Sequence, residues 1–141
     1  MEYRIIEQAK KGNKYEVFIL IFKNNIKGCL INILGGVLLG IVTLFNLLIN
    51  GFYSAHIFYS VYKAGFSISQ IVEKTLPHSF EIIGFMLSGA LGFYIAWNIL
   101  LLVKGKNLQV NFYKIIGTGS VIIFIIILCA AYVEAFISIK N

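Results

Sequence analysis

His78 and Glu81 stand three residues apart at the mouth of an apolar stretch, in the run Leu76-Pro77-His78-Ser79-Phe80-Glu81. Pro77 suits the first turn of a helix, where its missing N–H has no partner to lose. The three-residue spacing then puts the imidazole and the carboxylate on one helix face. A second acid, Glu134, lies inside another apolar stretch. One neutral imidazole and two carboxylates can hold a catalytic zinc ion, leaving a position for water. The same groups support two other readings. Glu81 in a first helical turn is favoured by the macrodipole, and His78 bonded to Glu134 would clamp two helices together. Carboxylates desolvated in lipid also take up protons more readily, which suits a proton or ion relay. The HExxH zincin pattern, a Ser-His-Asp constellation and GxGxxG are absent.

The elements that must position these groups follow from composition. Of 141 residues, 59% are apolar and 13% charged, against about 25% charged in a soluble domain. The chain is an all-α integral membrane helix bundle by this measure, with room for a single membrane domain over residues 1–141. The net charge of +6 does not point to nucleic acid. Its lysines and Arg4 flank apolar stretches, where they act as topology signals and contacts to anionic lipid. No short apolar run follows Met1, so no secretory signal peptide is expected.

Three stretches reach the ~20 apolar residues that a bilayer requires, at 26–49, 80–103 and 113–137. Residues 1–25 form a cytoplasmic or interfacial segment, in which 14–25 reads as a helix lying in the interface. Residues 51–72 crowd Phe52, Tyr53, Phe58, Tyr59 and Tyr62 around Lys63, and read as a short interfacial helix, a re-entrant hairpin or a fourth span. The positive-inside rule slightly favours three crossings. Arg4, Lys10, Lys11, Lys14, Lys23, Lys27, Lys104, Lys106 and Lys114 then share the cytoplasmic side, with Lys63, Lys74 and Lys140 outside. This predicts a multi-pass plasma-membrane protein with a cytoplasmic N-terminus. Asn46, Asn50, His78, Glu81 and Glu134 then fall at one depth and form a candidate polar binding cluster.

Asn50-Gly51 is read as the end of the first span, with Gly51 in a left-handed cap. His56, among interfacial aromatics, is read as a wet, non-catalytic side chain. Tyr94 and Trp97 read as packing or belt residues. Small residues recur at helix-packing spacing: Gly36 and Gly40; Gly84, Ser88 and Gly92; Ala131 and Ala135. In lipid such residues let helix backbones approach closely. Cys29 and Cys129 fall at depths roughly 18 Å apart on the three-span register, too far for a disulfide.

Several pieces, in order, resemble the stage II sporulation protein M family of multi-pass membrane proteins. They are Ile21-Phe22-Lys23-Asn24-Asn25, the span through Gly35, Gly36 and Gly40 to Asn50-Gly51, and Leu76-Pro77-His78-Ser79-Phe80-Glu81. Ser88-Gly89-Ala90-Leu91-Gly92 and Ala130-Ala131-Tyr132-Val133-Glu134-Ala135-Phe136 complete the set. The chain departs from the family pattern at Ser54 and Ser79, where family members carry glycine. The resemblance implies a plasma-membrane protein without an established chemical activity, and puts the family's polar positions at Asn50, Pro77, His78, Glu81 and Glu134. It also implies a setting: scaffolds in cell-wall remodelling, and neighbours of peptide export and circular bacteriocin operons.

The leading expectation is a non-enzymatic membrane subunit or scaffold. It would act with other membrane proteins, such as a transporter or a peptide client, in assembly or in peptide export, maturation or immunity. No cofactor is expected on this reading, and homo-oligomerisation is compatible with it. The alternative is an intramembrane metal-dependent hydrolase with zinc on His78, Glu81 and Glu134. A third reading is a small ion or peptide conduit that works as an oligomer.

Overall fold

The computed structural model describes residues 12–75 and 79–138. Its elements are α1 (Lys14–Gly35), a 3-10 turn (Gly36–Leu38), α2 (Ile41–Lys63), α3 (Ile68–Thr75), α4 (Ser79–Val103), α5 (Phe112–Val133) and a closing π turn (Glu134–Ser138). Four segments are long and apolar enough to cross a membrane: Lys14–Leu38, Ile41–Lys63, Ser79–Val103 and Phe112–Ile137. The chain is an all-α membrane helix bundle, without strands among the described residues.

Local chemistry sets the helix limits. Asn13 caps α1: its side-chain oxygen accepts from the Glu16 N–H at 3.3 Å, and its amide donates to the Glu16 carboxylate at 2.9 Å. At the far end the chain reverses through Leu39 (φ 55°) and Gly40 (φ 78°), and the Gly40 N–H closes back on the Gly35 carbonyl at 3.1 Å. Left-handed backbone at two successive residues ends a helix whatever its hydropathy. Ser67 and Gln70 start α3 with a reciprocal capping box. Gly105, at φ 70°, ends α4 in a Schellman motif, with the Lys106 N–H on the Leu101 carbonyl and the Gly105 N–H on the Leu102 carbonyl, both at 2.9 Å.

This architecture corrects the expected boundaries. Residues 26–49 are not one helix; the Leu39–Gly40 reversal divides them between α1 and α2. Residues 14–25, expected as a separate interfacial helix, are the first half of α1. Asn50 and Gly51 lie inside α2 rather than at a helix end, and Gly51 has no left-handed backbone. The ambiguous 51–72 segment supplies the second half of α2 and the start of α3. The other two long helices fall at the expected positions.

The long helices alternate in direction. Tyr15 at the start of α1 meets Phe136 at the end of α5 edge to face, with ring centroids 5.5 Å apart. Both ends of the described chain therefore share one end of the bundle, not the opposite ends that three crossings require. The Leu39–Gly40 reversal and the α4–α5 loop lie at the other end. α1 is the central post, packed on α2, α4 and α5. Cys29, Leu91, Ile123 and Ile127 form one core between α1, α4 and α5, and Val17 and Ile21 pack on Ala131 and Ala135 in another. Most other large apolar side chains face outward, as expected where lipid, and not water, is the solvent.

Candidate functional site: a polar cleft between three helices

Three helix faces carry polar or small residues at helical spacing. α1 presents Asn25, Gly28 and Asn32; α2 presents Asn46, Asn50 and Ser54; α4 presents Glu81, Ser88 and Gly92. Spacings of three, four and seven keep each set on one face. The α1–α4 crossing is tight because Gly92 is there. A Cβ on Gly92 would strike the Asn32 carbonyl, and one on Gly36 would strike the Gly92 carbonyl.

Asn32 is the hub of the network. Its amide donates to Ser88 Oγ at 2.9 Å and to the Phe85 carbonyl at 3.3 Å. Its carbonyl accepts from Thr43 Oγ1 at 2.7 Å, and its side-chain oxygen from the Asn46 amide at 2.8 Å. Asn46 also donates to the Gly28 carbonyl at 3.1 Å. Asn50 donates back to the Asn46 carbonyl at 2.7 Å, and Asn25 donates to the Glu81 carboxylate at 2.5 Å. Asn32, Thr43 and Ser88 are fully buried. Within lipid an unpaired amide is expensive, so a satisfied ladder fixes which helices meet and in what register.

Toward the end shared by the chain termini, α2 and α4 diverge and leave a cleft of about 810 Å³ floored by α1. Asn24, Asn25, Lys27, Asn50, Ser54 and Glu81 line its polar part; Leu47, Ile82, Phe85, Met86 and Phe93 line its apolar part. Beyond the cleft, the second half of α2 stands clear of the bundle, and residues 51–60 are all exposed.

The expected site residues divide. Asn46, Asn50 and Glu81 meet at this cleft. His78 lies outside the described residues. Glu134 opens the π turn, half-buried, next to Ala135 on the Val17–Ile21 contact. Glu81 is level with Asn25, so the Glu134 region sits roughly 6–12 Å further along α1, at 1.5 Å per residue. Among the described residues no three of His, Cys, Asp and Glu lie together as metal ligands. His56 is exposed on α2, and Trp97 is exposed on α4. Tyr94 stacks on Phe112, with centroids 5.9 Å apart. Cys29 and Cys129 are both free, and the buried Cys29 thiol points at the Gly84 carbonyl.

Of the packing positions, Gly84 faces Ile127, and Ala131 and Ala135 are fully buried. Gly36 approaches α4 from the 3-10 turn, and Gly40 shapes the reversal against Phe93. Ser88 works as a hydrogen-bond partner of Asn32. Sequence reading missed Asn25, Asn32 and Thr43. The available signal was Asn25 and Asn32 seven residues apart, on one face with Gly28.

The sequence profile described as Stage II sporulation protein M matches residues 2–139. The chain belongs to the stage II sporulation protein M family. An uncharacterised protein of the archaeon Methanocaldococcus jannaschii is 31% identical over 127 residues, covering 87% of this chain and 71% of the relative. No solved structure matches the chain. For this family member, the match runs through both the Asn32 network and the cleft.

Proposed function

We propose that this family member is a non-enzymatic membrane subunit that docks onto other membrane proteins through the second half of α2. The observation that carries the reading is the exposure of residues 51–60 on a helix long and apolar enough to cross a membrane. That half-helix bears Ser54, His56 and Ser60, polar groups that are costly against hydrocarbon and are ordinarily turned toward protein or water. Ser60 meets its own need by donating to the His56 carbonyl at 2.9 Å; the His56 ring, exposed on the same helix, is the group a partner would shelter. The N-terminal end faces the cytoplasm in this proposal, and the membrane is the plasma membrane. Assembly, peptide export, maturation or immunity are the processes such a subunit would serve, with a transporter or peptide client as partner.

Photo-crosslinking in native membranes tests the reading. A crosslinker at Tyr59 should give one discrete adduct of defined mass, whereas one at Val121 on the outer face of α5 should give only lipid adducts. Lipid adducts alone from both positions would contradict it.

A further inference from the structure

We infer that α3 binds the lipid surface: it lies in the membrane interface on the side of the chain termini, with Ile68, Ile71 and Val72 bedded among lipid and Ser69 and Gln70 turned to water. Ile68, Ile71 and Val72 stand at spacings of three and four, which puts them on one helix face. Ser69 and Gln70 fall on the other, and the sequence continues that register with Glu73 and Lys74. The four long helices show no such division. A helix apolar all round suits a span, whereas one with a divided surface suits a boundary between lipid and water.

The chain delivers this helix to that boundary. α2 ends at Lys63, whose ammonium lies over the Tyr59 ring, 5.2 Å from its centroid. Tyrosine and lysine at the end of a span settle at the headgroup level. Gly65 then takes φ 92°, a left-handed conformation open to glycine, and breaks the line of α2. The Ser67–Gln70 capping box restarts the helix at once.

The bundle leaves much of the apolar face open. α3 packs chiefly on α2, and Ile68 is 70% exposed and Val72 53%. A protein partner fits this face poorly. Eight residues make only ~12 Å of helix, far short of the roughly 800 Å² that a stable partner buries per side. Lipid needs no such area from α3 alone, because the α2 span already holds the segment at the membrane. So placed, α3 fixes the depth at which α2 leaves the hydrocarbon, whether or not a partner docks on α2.

Quenching of a fluorophore on single cysteines tests the inference, using the full chain in phosphatidylcholine nanodiscs and a background without Cys29 and Cys129. The label is placed at Ile68, Ser69, Val72 or Glu73, and Gln70 is kept because it caps the helix. Ile68, Ser69 and Val72 are exposed, so these labels leave the core intact. A nitroxide near the lipid headgroup should quench Ile68 and Val72 by ~twofold or more over Ser69 and Glu73, and aqueous iodide should reverse the order. Equal quenching at all four positions, or preferential quenching of Ile68 and Val72 by iodide, would overturn the inference. Shielding of Ile68 and Val72 from both quenchers would overturn it too, by showing that a second copy of the chain covers the face.

Discussion

The Asn46 side chain on α2 donates to the Asn32 side-chain oxygen on α1 at 2.8 Å, and Asn32 passes the connection to Ser88 on α4 at 2.9 Å. Two short bonds thus tie three helices at a point where lipid offers no competing partner. Asn32→Ala should remove both of these interhelical bonds, while Asn46 keeps the Gly28 carbonyl and Ser88 the Phe85 carbonyl, and cost about 1–3 kcal/mol. Thermal unfolding in mild detergent measures the loss. A double-mutant cycle with Asn46→Ala should give a coupling of roughly 0.6–1.7 kcal/mol, the range seen for interhelical bonds in membranes. Additive effects would mean that the two amides do not act as one unit.

Gly92 permits the α1–α4 crossing because a Cβ there would strike the Asn32 carbonyl. Backbone cannot swing aside as a side chain can, so Gly92→Ala should destabilise by about 1–3 kcal/mol. Gly117, inside α5 with nothing within 4 Å of its would-be Cβ, supplies the control. Gly117→Ala should be neutral, or gain up to ~1 kcal/mol of helix propensity.

Leu39 holds φ 55° without being a glycine, a conformation that costs roughly 1–2 kcal/mol for an L-residue with a Cβ. Leu39→Gly should therefore raise the melting temperature, whereas Gly40→Val, at φ 78°, should lower it. The opposite order would place the chain reversal elsewhere.

A docking subunit needs no metal. The purified protein should carry no stoichiometric zinc, and His78→Ala should leave both metal content and folding unchanged. One equivalent of zinc that disappears in His78→Ala would instead make His78 a metal ligand and contradict this reading.

Much of the bundle was legible in the sequence. The α4 and α5 helices announce themselves by long uncharged runs, and Glu81 and Asn46 by polarity in apolar surroundings. The α1–α2 hairpin was hidden for a physical reason. Its turn, Gly36-Val37-Leu38-Leu39-Gly40, contains no Asn, Asp or Pro, so hydropathy runs through it unbroken. Asn50-Gly51 looks like a helix end, yet the Asn50 amide bonds to the Asn46 carbonyl one turn back and the helix continues. The hub residue Asn32 was missed because one amide in an apolar run reveals nothing until its partners on other helices are known.

The α1–α2 hairpin requires the described residues to cross the membrane an even number of times. Labelling of single cysteines with a membrane-impermeant maleimide, in a background without Cys29 and Cys129, tests this directly. Cysteines at Asn13 and Ser69 should label from one side and a cysteine at Lys106 from the other. Labelling of Asn13 and Lys106 from the same side, with Ser69 opposite, would restore three crossings and contradict the hairpin.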